Sequence, residues 1–451
     1  MRPPDGLRLA DALRLAPGRV AAFVGAGGKS TAIARIVREL QPEYPVLVTT
    51  STKLGHDQVS LAAAHRIISC TEDLQGLGEL LLSRRSVVLT GPHSPAEPKW
   101  LGLQAEALDL ACQVASAVGG CGLVEADGAR GASLKAPADH EPVIPDGADL
   151  AIPVAGLDVL GTTLAAPTVH RPELVAGLAG KAVGERVESA DLVRVLTDRR
   201  GGLKGIPPAA EVRVLLNKVD ALAGRGDGDE IAARLLATGA IRAVVLAQAT
   251  SEAPTCEVLG RVAGVVLAAG GSRRLGQAKQ LLNWRGRPLV WHAVQAARQG
   301  GLAPVIVVAG AQAQAVRAAL QDEPVRVVDN PSWEQGQSTS MRRGLEAAAA
   351  GAEAVVFLLC DTPFVDAALV RELRRTHSRS LAPIVAPQVL GRWANPVLFD
   401  RVTFPALRQV TGDRGGRAVF DRFGVTGVPW DPRILIDVDT PEDLERLQGH
   451  A

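Results

Sequence analysis

Aromatic residues make up only 3% of this 451-residue chain. Its core must therefore be built from Ala, Val and Leu, which suits parallel sheets covered by helices. Charge bias is missing as well: 49 basic residues stand against 48 acidic ones, a net of +1. No global field draws nucleic acid or an anionic lipid surface, so small molecules are the expected ligands. No stretch is apolar enough for long enough to span a bilayer. The opening Met1-Arg2-Pro3-Pro4-Asp5 carries no apolar signal segment. The five cysteines (Cys70, Cys112, Cys121, Cys256, Cys360) form no CxxC pair. That argues against a disulfide framework or a structural zinc site and fits a reducing cytoplasm.

What the chain does have is length for two or three domains and a steady alternation of strand-like and helical runs. In the first half, apolar runs such as Val20–Val24, Pro45–Thr49, Ser86–Thr90, Cys121–Glu125, Leu150–Pro153, Val212–Leu216 and Ala243–Leu246 read as strands. In the second half, Val262–Leu267, Pro304–Val308, Val325–Val328, Ala354–Leu359 and Pro383–Ala386 do the same. Helical spacing fits Ser30–Leu40, Glu230–Leu236, Leu289–Arg298, Ala313–Leu320, Thr339–Ala350 and Ala367–Thr376. Such alternation predicts an α/β protein of parallel sheets with crossover helices. Thr250–Glu257 contains Pro254 and little periodicity, and a fresh strand follows. We therefore expect two domains, 1–257 and 258–451. Gly224 to Asp229 reads as a polar loop.

The most informative stretch is Leu267-Ala268-Ala269-Gly270-Gly271-Ser272-Arg273-Arg274-Leu275-Gly276-Gln277-Ala278-Lys279. A strand feeds a glycine-rich turn that can bring backbone N–H groups to a polyphosphate, and a lysine follows. Asp361 ends the run Val355–Leu359, the place where open α/β sheets hold ligands. A carboxylate there can hold Mg²⁺ against phosphates. Asn330 and Ser338 lie in a polar loop that runs into a helix, and Asp437 and Asp439 form a further acidic pair. Each has a plainer reading. Gly270 and Gly271 can simply make a tight turn, and Asp361 can be a turn residue. Asp439 suits a cap for the helix beginning near Pro441. Trp333 suits core or pocket wall, and Arg414 and Arg417 suit either a phosphate grip or a solvated surface. Cys360 reads as a small buried residue.

Together these blocks resemble the nucleotidyltransferase family that attaches a nucleotide to molybdopterin. The carriers are Leu267 to Lys279, Asn330-Pro331-Ser332-Trp333 with Gly336 and Ser338, and Asp361 with Pro363. Asn395 to Phe399, Gly412 to Arg417 and Asp437 to Pro441 complete the set. The resemblance covers Val262 to Leu447 and implies a Rossmann-like domain. It also implies attack of a pterin phosphate on the α-phosphorus of a nucleoside triphosphate. Guanylyl-transferring relatives usually read LAGG where this chain reads Leu267-Ala268-Ala269-Gly270, so the resemblance favours CTP. It assigns Leu267 to Gly271 to nucleotide binding, Lys279 to the developing negative charge, Asp361 and then Asp437 to Mg²⁺, and Asn330 and Ser338 to orienting the ligands.

In the first half, Phe23-Val24-Gly25-Ala26-Gly27-Gly28-Lys29-Ser30-Thr31 follows a strand and opens a helix. This is a short GxxGK[ST] phosphate loop in a P-loop-like domain. Lys29 can reach the β- and γ-phosphates and Ser30 can bind Mg²⁺. Asp127 or Glu125 can serve as the acid at the end of the strand Cys121–Glu125. Asn217-Lys218-Val219-Asp220 looks like the NKxD guanine reader of GTPases, so GTP or ATP is expected. This half, roughly Leu7 to Leu246, resembles the YqeC-like accessory family associated with selenium-dependent molybdenum hydroxylases. The matching blocks are Gly25–Thr31, Val48–Lys53, Glu125–Gly131 and Leu134–Pro142. The expected function is a CTP:molybdenum cofactor cytidylyltransferase fused to an NTP-binding accessory domain, with a molybdenum hydroxylase apoprotein as recipient. The competing expectation is a non-catalytic delivery protein, and a third is a nucleotidyltransferase using GTP or a sugar phosphate.

Overall fold

The computed structural model describes residues 6–222, 225–251, 256–271 and 277–448. Ser272 to Gly276 of the glycine-rich turn, Gly224 and Pro254 lie outside the described residues. The chain divides into two compact units that meet between Leu259 and Gly260.

The first unit is built on a nine-stranded sheet. Its order is Glu257–Gly260, Ala243–Ala247, Glu211–Asn217, Leu150–Gly156, Val20–Gly25, Cys121–Glu125, Val46–Thr50, Ser86–Thr90 and Ala64–Ile67. The pairings from Ala243–Ala247 through to Ala64–Ile67 are parallel. The central strands are buried on both faces, which is why they read as unbroken apolar runs. Leu108, Ala111 and Ala115 of the helix Ala105–Ala117 pack on Val20, Ala22 and Val24. Leu192 and Val195, with Ile231 and Leu235, pack over Val214, Leu216 and Val244. The expected polar loop is a correction: the chain is already helical from Arg225 to Ala237. Asp227 in its first turn suits the helix dipole, and Ile231, Ala232 and Leu235 give it a buried stripe.

The second unit carries an eight-stranded sheet. Its order is Arg326–Asp329, Val305–Ala309, Val262–Ala268, Ala354–Leu359, Val397–Asp400, Ile384–Val389 and Arg392–Trp393, with Thr426–Pro429 paired to Ile384–Val389. The first four strands are parallel. Val397–Asp400 then runs antiparallel to both of its neighbours, so the parallel core of the sheet is extended by an antiparallel edge. The alternation along Val262–Ala268 sorts the two faces. Val262, Val266 and Ala268 meet Val290, Val294, Leu369 and Leu373 from two helices, whereas Ala263 and Val265 meet Met341 and Leu345.

Candidate active site

In the second unit, Val262–Ala268 pairs in parallel register with Ala354–Leu359, so that Leu267 lies beside Leu359. The glycine-rich turn and Asp361 therefore leave neighbouring strands at the same end of the sheet. Ala268 and Ala269 are buried, while Gly270 and Gly271 are exposed and present main chain to solvent. Trp333 walls the turn: a β-carbon on Gly271 would lie 2.8 Å from its indole, so any larger residue there would have to displace the ring. The Ala269 carbonyl accepts from Ala311 N–H at 3.2 Å, and Gln280 Nε2 donates to the Gly270 carbonyl at 3.3 Å.

Lys279 lies in a short 3₁₀ segment and reaches back into this site. Its Nζ pairs closely with Asp361 Oδ2 and donates to Asp439 Oδ1 at 3.0 Å. Burial alone would lower the Lys279 pKa, but the Asp361 carboxylate outweighs it and holds the amine firmly charged. The other oxygen, Asp361 Oδ1, is buried without a hydrogen-bond partner. The main-chain N–H of Val438 donates to the Asp361 carbonyl at 3.1 Å, which fixes Asp437 and Asp439 on either side of it. Burial, followed by repulsion from Asp439 and Asp361, raises the Asp437 pKa. The plain reading of Asp439 as a helix cap is corrected. Asp443 N–H turns to Thr440 Oγ1, and the Asp443 carboxylate takes the N–H groups of Asp439 and Thr440.

Asn330 is tied into its own loop. It is buried, and both amide hydrogens are used within the chain, on Thr339 Oγ1 at 2.8 Å and Ser340 Oγ at 2.9 Å. Its oxygen accepts from Ser332 N–H at 3.1 Å. Asn330 orders the loop through these bonds. Ser338 is fully buried with an unpartnered Oγ. Asp413, given no role of its own within the block Gly412 to Arg417, accepts from Gln337 N–H at 3.2 Å at the start of the helix Gln337–Ala348. Beside it opens a cleft of about 340 Å³. Leu267, Met341, Phe357 and Phe399 give it an apolar floor, and Asn395, Arg414 and Arg417 supply polar lining.

In the first unit the phosphate loop is fully described. Gly25, Gly27 and Gly28 all have positive φ. At Gly28 a β-carbon would lie 2.6 Å from Asn217 Nδ2. That amide donates to the Gly27 carbonyl at 2.8 Å, and Asn217 Oδ1 accepts from Ala249 N–H at 3.0 Å. One side chain thus pins the phosphate loop to two other loops. Asp220 is exposed on the turn that follows, and Thr31 is exposed on the first turn of the helix Lys29–Leu40. Lys218 Nζ is engaged with Ser133 Oγ at 2.9 Å and Asp158 Oδ2 at 2.8 Å.

Asp127 and Glu125, the two acids expected near the nucleotide, differ in their partners. Asp127 is buried between Lys29 Nζ at 3.0 Å and Lys135 Nζ at 2.9 Å, and it accepts from Gly25 N–H. Glu125 is the acid beside the loop hydroxyl: Ser30 Oγ donates to it at 3.0 Å, and burial raises its pKa. Lys135, missed from sequence, also contacts Glu141 Oε2 at 2.8 Å. Burial would raise the Glu141 pKa, but Arg171 and Lys135 pull it down to about 2. In the sequence Lys135 stood out only as part of the block Leu134–Pro142.

Among the described residues no group of three His, Cys, Asp or Glu side chains could hold a metal ion. No helix among them is long and apolar enough to cross a membrane. Each unit thus gathers a glycine turn, a lysine and acids at one end of its sheet, the arrangement expected of a protein that binds phosphates.

The family models place that class. The MobA-like NTP transferase domain matches residues 264–426, and the YqeC protein model matches residues 21–173. Nicotine blue oxidoreductase of Paenarthrobacter nicotinovorans is 36% identical over 202 residues, 41% of this chain and 96% of that protein. A molybdenum cofactor guanylyltransferase of Pseudomonas fluorescens (strain SBW25) is 32% identical, covering 41% and 93% respectively. The uncharacterized protein YqeC of Escherichia coli (strain K12) is 30% identical, covering 42% and 71%. The chain belongs to the YqeC family in its first half and to the MobA-like NTP transferases in its second, and it is a nucleotidyltransferase.

Proposed function

We propose that the second domain, 258–451, is a CTP:molybdenum cofactor cytidylyltransferase, and that the first, 1–257, is an NTP-binding accessory domain. The observation that carries this reading is Lys279 bridging Asp361 and Asp439 beside the glycine turn. Gly270 and Gly271 cradle the triphosphate with main-chain N–H groups. Lys279 leaves its carboxylates to neutralise the charge that grows on departing pyrophosphate. Arg414 and Arg417, at the mouth of an apolar-floored cleft, hold the phosphate of a planar pterin in line for attack on the α-phosphorus. That phosphate is already anionic, so no strong general base is required.

The acids fit Mg²⁺. Asp361 has one buried oxygen without a partner, and Asp437 is crowded by two like charges that a cation would relieve. When bound, the ion supplies further neutralisation of the phosphates. CTP is favoured by Ala269, where guanylyl-transferring relatives usually carry glycine. In the first domain, Asp220 reads guanine, Lys29 meets phosphate, and Ser30 with Glu125 would hold Mg²⁺. Five free cysteines suit a cytoplasmic setting, and a molybdenum hydroxylase apoprotein is the recipient we infer.

The test combines the full chain with molybdopterin-bound molybdenum, Mg²⁺ and each nucleoside triphosphate in turn. Pyrophosphate released with CTP alone is the expected result. Release with GTP alone would overturn the nucleotide assignment, and release with none would leave the delivery protein.

A further inference from the structure

Histidine is scarce in this chain, with eight residues in 451, yet three of them surround one indole. His56, His65 and His93 have ring centroids 5.3, 4.9 and 5.4 Å from that of Trp100. His56 stacks on the indole at 25°, and His93 meets it edge-on at 87°. The backbone holds both rings in place. Leu54–Gly55, just before His56, pairs antiparallel with Lys99–Trp100, and His93 forms an antiparallel bridge to Trp100. Gly91 N–H donates to the Leu101 carbonyl at 2.8 Å, and Ser94 N–H to the Lys99 carbonyl at 2.8 Å. This ribbon brings His56 Nε2 to 2.7 Å from His93 Nε2, with both residues exposed. His65 differs: its Nε2 is already engaged with Thr90 Oγ1 at 2.8 Å.

We propose that His56 and His93 form a binding site for a borderline divalent transition ion such as Zn²⁺, Ni²⁺ or Co²⁺. An exposed N–H···N bond between two imidazoles adds little stability in water and would not by itself call for two rings held against an indole. Two convergent imidazole nitrogens on a rigid frame are what such ions prefer. Ligand nitrogens at ~2.05 Å in tetrahedral array lie ~3.3 Å apart. The pair therefore needs to open by only ~0.6 Å to take a tetrahedral ion, which small ring rotations supply. No third His, Cys, Asp or Glu joins the pair among the described residues, so the remaining positions fall to water or an oxyanion. The ribbon springs from the strand Val46–Thr50, whose Thr50 pairs with Glu125, so it leaves the sheet at the end where the phosphate loop lies. An ion there adds positive charge at the nucleotide-facing end of this unit and stays open to exchange.

The test is a Co²⁺ titration of the full chain in excess Mg²⁺, so that the carboxylate sites are filled. It is read by visible absorption and by tryptophan fluorescence. One equivalent should bind. His56→Ala and His93→Ala should each weaken binding at least tenfold while the circular dichroism spectrum is kept. His140→Ala, which removes an exposed histidine elsewhere, should bind like wild type. Failure of wild type to take up one ion, unchanged binding in both ribbon variants, or an equal loss in the His140 variant would overturn the site.

Discussion

The two glycine loops of this chain hold their lysines in opposite ways. In the first unit, Lys29 is 2% exposed and locked to Asp127, which itself is shared with Lys135 and caps the loop at Gly25. In the second, Lys279 is 21% exposed, and its partner Asp361 keeps one oxygen unused. A dry, fully partnered network holds loop shape while it is intact, because removing any member strands a buried charge, and Lys29 must leave Asp127 to meet a phosphate. A half-open pair with a spare acceptor is arranged to exchange partners. The same residue types at the same kind of strand end therefore serve different ends. Partner count and burial separate them, and local motif does not.

The sharpest way to break this contrast is to remove the exchanging pair. Asp361→Ala and Lys279→Ala should each lower nucleotidyl transfer roughly 10³-fold, with unfolding midpoints near wild type. Steady-state pyrophosphate release would show it, and wild-type rates in both would refute the assignment. The locked network should respond in stability instead. Asp127→Asn should cost about 3 kcal/mol or more in urea unfolding of the full chain. A cost under about 1 kcal/mol would mean that the network does not hold the loop. Asp220→Asn should weaken GTP relative to ATP by roughly tenfold or more, the worth of hydrogen bonds to a charged acceptor. An unchanged preference in calorimetric titration would remove the guanine reading.

The smallest effect concerns Asp437. Its pKa is raised in the folded chain by burial and by Asp439. The associated stability is present below the ordinary aspartate range near ~4 and is lost as pH rises through the raised value. Asp437→Asn should therefore raise stability at neutral pH by at most a few tenths of a kcal/mol without Mg²⁺. Excess Mg²⁺ should erase that difference. A variant less stable than wild type in thermal melts without Mg²⁺ would contradict the crowding of the acids.

Much of the scaffold was legible because a strand buried on both faces cannot hide: Val20–Val24, Ala354–Leu359 and their like are continuous apolar runs. Ala64–Ile67 escaped because an edge strand reading Ala-His-Arg-Ile has no such run. The helices Leu77–Arg84, Ala105–Ala117, Pro172–Ala179 and Ser189–Thr197 escaped too. They are short or rich in alanine, and their packing on the sheet carries more information than their periodicity. In the transferase site, Lys279 and Asp361 were readable from their positions after strands. The role of Asp439 was not, because a capping sequence sits on top of it. Likewise, Glu125 and Asp127 differ by two positions on one strand end, and only the placement of Ser30 and Lys135 tells them apart.

The main-chain clasp from Val438 N–H to the Asp361 carbonyl has a topological consequence. It closes the long excursion Thr362–Asp437, which includes the antiparallel edge strands and the cleft's Asn395, Arg414 and Arg417. The acids that would grip the ion are thereby held together from the two ends of that segment, while its helix and strands pack into the same core as Val262 and Val266.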